Sequence, residues 1–320
     1  MRERAAARVV VYDALTYAGH IESLADVATD AARFRFVRGD VCDRDGIARV
    51  VAEERPRYTV HLAAESHVDR SIHDAQPFVR TNVEGTLSVL EAVRDASNMR
   101  VVVASTDEVY GALIDPARAD ENAPLRPSNP YAASKAAADL LASAWRKTFG
   151  VDIVVTRSSN VYGPYQMPEK FVPVAIESTR RGEPVPIYGD GRQRRDWVHV
   201  DDHCRGLVLA AERGATGETY NIGSGFETEN LQLAHTVLMA LGESVDRVRH
   251  IADRRGHDRR YALDVSKART KLGFEPSMSL VDGIARTVAW YGANRGWLAA
   301  VESESHSRHM QRTYGTLEAR

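Results

Sequence analysis

The sequence predicts a doubly wound parallel α/β fold with a smaller α+β lobe toward its C-terminal end. Three observations carry that prediction. Short strands alternate with helical patterns through the first half of the chain, as in a parallel sheet with crossover helices. The strand runs are almost unbroken in Val, Ile and Leu, which suits strands buried on both faces. The alternation then loosens after Tyr162, where Gly and Pro punctuate the chain and mark a change of architecture.

The expected strands of the first half are Arg8 to Tyr12, Phe34 to Arg38, Thr59 to Leu62, Arg100 to Ser105 and Ile153 to Thr156. The expected helices are Arg44 to Glu54, Ala75 to Asp95 and Tyr131 to Phe149. Past the loop signals at Gly163-Pro164, Gly182, Pro184, Pro186 and Gly189-Asp190-Gly191 come a strand at Trp197 to Val200, a helix at Asp201 to Ala211 and a strand at Thr219 to Ile222. Helices return at Glu229 to Leu241 and Leu280 to Asn294. The domain organisation expected is a first domain over 1–162, to which 195–222 returns, and a second lobe from 163–194 and 223–300. The polar stretch 301–320 has no periodic apolar face and reads as a mobile tail.

A chain of 320 residues exceeds one small core and suffices for two unequal lobes. Hydrophobic residues make up 43% and charged residues 27%, an ordinary balance for a globular protein. The net charge of −2 gives no global basic field, which argues against nucleic acid as a partner. Two cysteines, Cys42 and Cys204, form no disulfide framework and fit a reducing cytoplasm. The apolar run near the start is broken by Arg8 and meets Asp13, too short for a signal peptide, and no stretch approaches a membrane span.

The chemistry concentrates in Ser105-Thr106-Asp107-Glu108-Val109-Tyr110-Gly111 and Tyr131-Ala132-Ala133-Ser134-Lys135. Together they supply a hydroxyl, a carboxyl pair and a Tyr/Lys pair, a set able to oxidise an alcohol and expel water. Tyr131 and Lys135 stand at i and i+4 on one helix face. An ammonium beside the phenol favours its anion, which can take a proton from a sugar hydroxyl. Thr106 can orient the same alcohol by hydrogen bonding. Asp107 and Glu108 make an acid and a base if one is protonated and the other ionised. Neighbours on a strand point to opposite faces, so both serve one substrate only if the strand has already ended, and Gly111 suggests such a break. By themselves Tyr131 and Lys135 would read as a surface helix pair, and without them Asp107 and Glu108 would read as a solvated carboxyl pair at a strand end.

With these motifs the chain resembles the extended short-chain dehydrogenase/reductases, and within them the dTDP-glucose 4,6-dehydratases, from Val9 to about Trp297. Family-like blocks also stand at Leu62-Ala63-Ala64-Glu65-Ser66-His67-Val68-Asp69-Arg70-Ser71 and Asn160-Val161-Tyr162-Gly163-Pro164-Tyr165, with Pro168-Glu169-Lys170 following. The resemblance implies a Rossmann-like first domain that holds NAD and a second lobe that holds a nucleotide sugar. It implies C4 oxidation begun by Tyr131, with Lys135 and Thr106 assisting. Removal of the C5 proton by Glu108 follows, with protonation of the leaving C6 oxygen by Asp107 and hydride return to C6. The implied product is dTDP-4-keto-6-deoxyglucose; the same chemistry on UDP-glucose, and a non-catalytic nucleotide-sugar-binding relative, remain alternatives.

Cofactor contacts implied by the resemblance are Asp13, Leu15, Thr16, Asp40, Val41, Leu62, Ala63, Ala64, Ser66, Thr81, Tyr131 and Lys135. On spacing alone Asp13 reads equally as a turn residue or as an acceptor for ribose hydroxyls; the match to Asp13-Ala14-Leu15-Thr16-Tyr17-Ala18-Gly19 favours the second. Implied substrate contacts are Ser66, Thr106, Asn160, Lys170, Phe171, Pro186, Tyr188, Arg195, Asn230 and His257. Arg195 suits a pyrophosphate through its guanidinium fork, whereas Phe171 and Tyr188 read equally as core aromatics. Val161 and Arg255 depart from the family pattern, which has Asn and Pro there; the first loosens NAD, the second alters loop stiffness.

The superfamily's first strand, glycine turn and first helix have no counterpart ahead of Asp13. Since that strand is central in a 3-2-1-4-5-6 sheet, its two neighbours are expected to keep unpaired edges, unless the strand before Asp13 closes the gap by pairing with Thr59 to Leu62. Gly223-Ser224-Gly225 lacks a third glycine and reads as a turn. His199, Asp201, Asp202 and His203 read as a helix start, with Asp201 or Asp202 as N-cap, rather than as a metal site. Val83, Leu87, Leu90 and Val93 form an apolar stripe that either faces the sheet or joins a family-type homodimer.

Overall fold

The structure is a computed structural model and describes residues 7–96, 98–254 and 256–302. Arg255 and residues 303–320, including most of the expected tail, lie outside the described residues. The strands are β1 (Val9–Asp13), β2 (Phe34–Arg38), β3 (Tyr58–His61), β4 (Arg100–Thr106), β5 (Asp152–Ser158), β6 (Asn160–Tyr162), β7 (Val185–Tyr188), β8 (Arg194–His199), β9 (Thr219–Ile222), β10 (Glu227–Glu229) and β11 (Val248–Ile251).

A four-stranded parallel sheet in the order β3-β4-β5-β9 carries the first half. Its centre, β4, explains the unbroken apolar run. Side chains alternate along a strand, so Val101 and Val103 pack with Leu90, Val93 and Ala142 on one face, while Val102 meets Leu207, Ala210 and Phe274 on the other. β1 and β2 form a separate parallel pair. Among the described residues no strand joins β1 to β3, so each keeps one unpaired edge and the alternative of direct pairing is not adopted. Val60 and Leu62 at that edge are correspondingly exposed.

The helices follow their sequence signals. The helix Arg44–Glu54 begins at Asp43, whose Oδ1 accepts the Gly46 N–H at 2.9 Å. The helix Pro130–Phe149 has Asn129 as N-cap, Pro130 in its first turn and Gly150, at φ 73°, as its stop. The span expected as one helix over Ala75 to Asp95 is a chain of helical turns: Gln76–Phe78, a π-helical Val79–Glu84, and Gly85–Val93. Its apolar stripe divides. Leu90 and Val93 are buried against the sheet, whereas Val83 is half-buried and Leu87 exposed.

A second core forms where helices Phe171–Arg180, Asn230–Ala240 and Leu280–Ala293 pack around Ile176, Ile187, Leu233 and Tyr291, and Tyr162 of β6 and Trp197 of β8, expected with the first domain, pack into it. The sheet β10-β8-β6 and the parallel pair β7 and β11 accompany it. The helix Val200–Arg213 is capped by His199, whose Nδ1 accepts the Asp201 N–H at 3.3 Å, and not by Asp201 or Asp202. Asp202 instead accepts the N–H groups of Ser277 and Met278 at 3.0 and 2.9 Å, holding a distant loop. The Gly223-Ser224-Gly225 turn donates its Ser224 and Gly225 N–H groups to the Asp196 carboxylate.

Behind the sheet, Arg157 Nε donates to Asp139 Oδ2 at 2.7 Å and an Arg157 guanidinium N–H donates to Tyr110 Oη at 2.8 Å, all buried. Removing one member strands a buried charge, which costs far more than replacing both. Arg157→Leu is expected to lower stability by about 3–5 kcal/mol, and Arg157→Leu with Asp139→Leu to recover most of the loss. Urea denaturation of the two variants checks this.

Candidate active site

The site grows from the end of β4. Thr106 is the last strand residue and caps a 3₁₀ turn over Asp107–Tyr110, its Oγ1 accepting the Glu108 N–H at 3.3 Å. The strand has therefore ended before the carboxyls, as the sequence requires for both to face one substrate. Gly111 completes the reversal at φ 73°; a Cβ there would stand 2.1 Å from the Arg126 carbonyl oxygen.

Burial gives the two carboxyls different surroundings. Asp107 is 3% exposed, and its Oδ2 has no hydrogen-bond partner among the described residues. Desolvation first, then the charge of Glu108, pushes Asp107 well above its ordinary value, which favours its protonated form. Glu108 is less buried; its Oε2 accepts from Asn129 Nδ2 at 3.1 Å and lies 3.3 Å from the Tyr261 hydroxyl.

The helix Pro130–Phe149 brings Tyr131 onto the same spot, hydrogen-bonded to Thr106. Its phenol is raised above the ordinary tyrosine value, by burial and then by Glu108, the reverse of the lowering that a Tyr/Lys pair predicts. The physical reason is desolvation: Lys135 Nζ turns away to donate to the Ala104 carbonyl at 2.6 Å. Burial pulls Lys135 itself down to about 8.

A cationic wall faces the carboxyls. Arg195 is 4% exposed, donates to the carbonyls of Arg194 and Asp258 at 2.8 and 2.7 Å, and lies 4.2 Å over the Tyr261 ring. Among the described residues it makes no ion pair with a carboxylate, and desolvation lowers its pKa. Lys170 Nζ donates to the Ser66 carbonyl at 2.8 Å, and burial lowers it too. Arg254 pairs with Asp69 at 3.3 Å and lies 5.8 Å over the Tyr188 ring. His257 packs edge-on to Tyr188, pairs with Asp253 at 2.6 Å, and is pulled down to about 4, first by burial and then by Arg254.

The remaining sequence-predicted residues have their own local contacts. The segment Leu62, Ala63, Ala64 and Ser66 is pinned by Asn82, which exchanges two hydrogen bonds with the Glu65 backbone at 2.8 and 2.9 Å and lies next to Thr81. Asp13 Oδ1 accepts the N–H of Leu15, which has a left-handed φ of 53°, with Thr16 next in the turn. Asp40 is engaged with the Cys42 N–H and Arg80, and Val41 is buried in the core. Asn160 lies on β6 with an unpartnered buried Oδ1, and Val161 on the same strand offers only its carbonyl, to Gln166. Phe171 packs on Trp197, Pro186 is buried in β7, and Asn230 opens its helix.

Sequence reasoning missed Asn129, Tyr261, Arg254 and Asp258. Three of them flank His257, so the signal was proximity to a residue already singled out; Asn129 carried an N-cap signal before Pro130. The residues present fit a dinucleotide at its ribose and nicotinamide ends. Lys135 spends one of three donors on Ala104, and Asp13 keeps acceptor capacity beyond the Leu15 N–H.

This fold and cluster are those of the extended short-chain dehydrogenase/reductases. The chain belongs to the GDP-mannose 4,6 dehydratase family, whose family model it matches over residues 2–287. It is 50% identical to a dTDP-glucose 4,6-dehydratase of Streptomyces niveus over 296 residues, 92% of this chain and 87% of that protein. It is 42% identical to dTDP-glucose 4,6-dehydratase 1 of Escherichia coli K12, over 96% of this chain and 91% of that one. The dTDP-glucose 4,6-dehydratase DesIV of Streptomyces venezuelae, solved with NAD and TYD bound, superposes with a TM-score of 0.89 at 48% identity, covering 94% of this chain and 92% of that one. UDP-glucose 4-epimerase of Thermotoga maritima, solved with UDP-glucose, gives 0.83 at 32% identity over 90% and 92%.

The pKa of Lys135 yields a prediction of sign. From about 8 to 10.5 the unfolded chain holds more protons at this lysine than the folded one, so its contribution to stability rises with pH across that window. Below it, the buried ammonium is a constant cost. Denaturation of the parent and of Lys135→Met on either side of the window is expected to show the parent gaining relative to the variant as pH rises.

Proposed function

We propose that this protein is an NAD-dependent hydro-lyase that converts dTDP-glucose to dTDP-4-keto-6-deoxyglucose. The observation that carries the reading is a sealed Asp107 beside the more open Glu108 at one strand end, within reach of the Thr106–Tyr131 pair. A site that only oxidises and reduces a sugar needs the tyrosine; a site that also expels water needs a separate acid and base.

Thr106 orients the sugar O4, and Tyr131 Oη takes its proton. NAD, when bound, accepts hydride from C4 and returns it to C6. A C4 ketone acidifies the C5 proton, which Glu108 removes, while Asp107 gives its proton to the departing C6 oxygen. Glu108 then returns a proton to C5. Lys135 orients the cofactor ribose. Arg195 has no carboxylate partner and offers its fork to the pyrophosphate, an anion that offsets the cost of burying that charge. Ser66, Asn160, Lys170, Phe171, Pro186, Tyr188, Asn230 and His257 complete the nucleotide-sugar site in this reading.

Two coarser features extend the reading. Val79, Leu87 and Leu140 are 50, 37 and 64% exposed on neighbouring helices, and we propose that this face joins two copies into a homodimer. Cys42 and Cys204 form no disulfide, which suits a cytoplasmic setting, and among the described residues no helix is long and apolar enough to cross a membrane.

Mass spectrometry of dTDP-glucose incubated with the protein and NAD is expected to show loss of one water. Tyr131→Phe should cut that rate by about 10²-fold or more; an unchanged sugar with the parent chain would overturn the reading. Leu140→Glu should shift sedimentation of the dimer toward the monomer.

A further inference from the structure

Asn129 is held so that its two side-chain atoms do two different jobs. Its Oδ1 accepts the Ala132 N–H at 2.8 Å and caps the helix Pro130–Phe149. That contact fixes which end of the amide is nitrogen, because only the oxygen can accept. Nδ2 must then point the other way, where it donates to Glu108 Oε2 at 3.1 Å. The residue is 6% exposed, so no bulk water competes for either contact.

The other neighbour of Glu108 Oε2 cannot replace it. The Tyr261 hydroxyl lies 3.3 Å away but has a closer acceptor, Asp258 Oδ2 at 2.7 Å, and one O–H serves one strong bond. Asn129 is thus the donor that orients Glu108, and by engaging Oε2 it leaves Oε1 for the substrate.

We propose that Asn129 is a positioning residue for the elimination step: it ties the aim of Glu108 to the start of the helix that carries Tyr131. The proposal rests on the dehydratase reading. It couples the base of the second half-reaction to the base of the first through one amide, so the two keep a fixed mutual geometry.

The test is Asn129→Ser. Ser caps a helix as well as Asn, but its single short hydroxyl, held at the Ala132 N–H, does not reach Glu108. The variant is expected to unfold at the same temperature as the parent and to carry out C4 oxidation. Loss of water should slow at least about tenfold, so reduced-nicotinamide absorbance builds up during turnover where the parent shows little. Equal turnover without that absorbance would overturn the proposal, as would a parallel loss of both half-reactions.

A second readout does not depend on activity. The Asn129 side-chain amide resonance, assigned by its loss in Asn129→Ser, should move when Glu108→Gln is introduced, and an unmoved resonance would also refute the contact. If the parent chain releases no water from dTDP-glucose, the dehydratase reading fails, while the amide resonance still decides the contact.

Discussion

The site depends on β4 stopping at Thr106. Had the strand run one residue further, Asp107 and Glu108 would point to opposite faces of the sheet, and no single substrate could meet both. The hydroxyl that ends the strand also belongs to the chemistry: Thr106 Oγ1 caps the 3₁₀ turn and contacts Tyr131. Gly111 is needed for the same reason, since any side chain there would strike the Arg126 carbonyl and reopen the turn. Local backbone geometry, rather than a pocket shaped around a ligand, makes neighbours in sequence into partners in chemistry.

Burial then differentiates groups that sequence alone cannot. Asp107 and Glu108 are both carboxyls, but only Asp107 is sealed from water with an unpartnered oxygen. Arg195 is buried and Lys170 half-buried, each with backbone carbonyls as partners and, among the described residues, no carboxylate within ion-pair distance. Such an arrangement is poor for stability and good for binding an anion, because the anion supplies the counter-charge that folding withheld.

Much of this was legible in the chain. The strands at 34–38 and 219–222 and the helix at 44–54 fall where apolar runs and caps place them. The second lobe was less legible for physical reasons. β10 is three polar-flanked residues, Glu227–Glu229, and β7 contains Pro186, so neither carries a periodic apolar signal. The cap at His199 was misplaced by two or three residues because Asp201 and Asp202 have the better capping chemistry, yet Asp202 is drawn into the chain at Ser277. In the site, Thr106 through Lys135 could be read as a linear motif. Asn129 and Tyr261 could not, because their contacts with Glu108 span 21 and 153 residues.

The tyrosine shows how far a motif can mislead about mechanism. A Tyr and a Lys one helical turn apart suggest an ammonium that stabilises a phenolate. In the folded protein Lys135 donates an N–H to the Ala104 carbonyl, and desolvation and the Glu108 charge favour the protonated phenol. Positive charge must reach Tyr131 from elsewhere before it can act as a base. Among the described residues no cationic side chain lowers it, so a cationic ring brought into the site would favour its anion. That ordering protects the chemistry: with no cofactor in place the phenol keeps its proton, and Asp107 and Glu108 have no C4 ketone to work on.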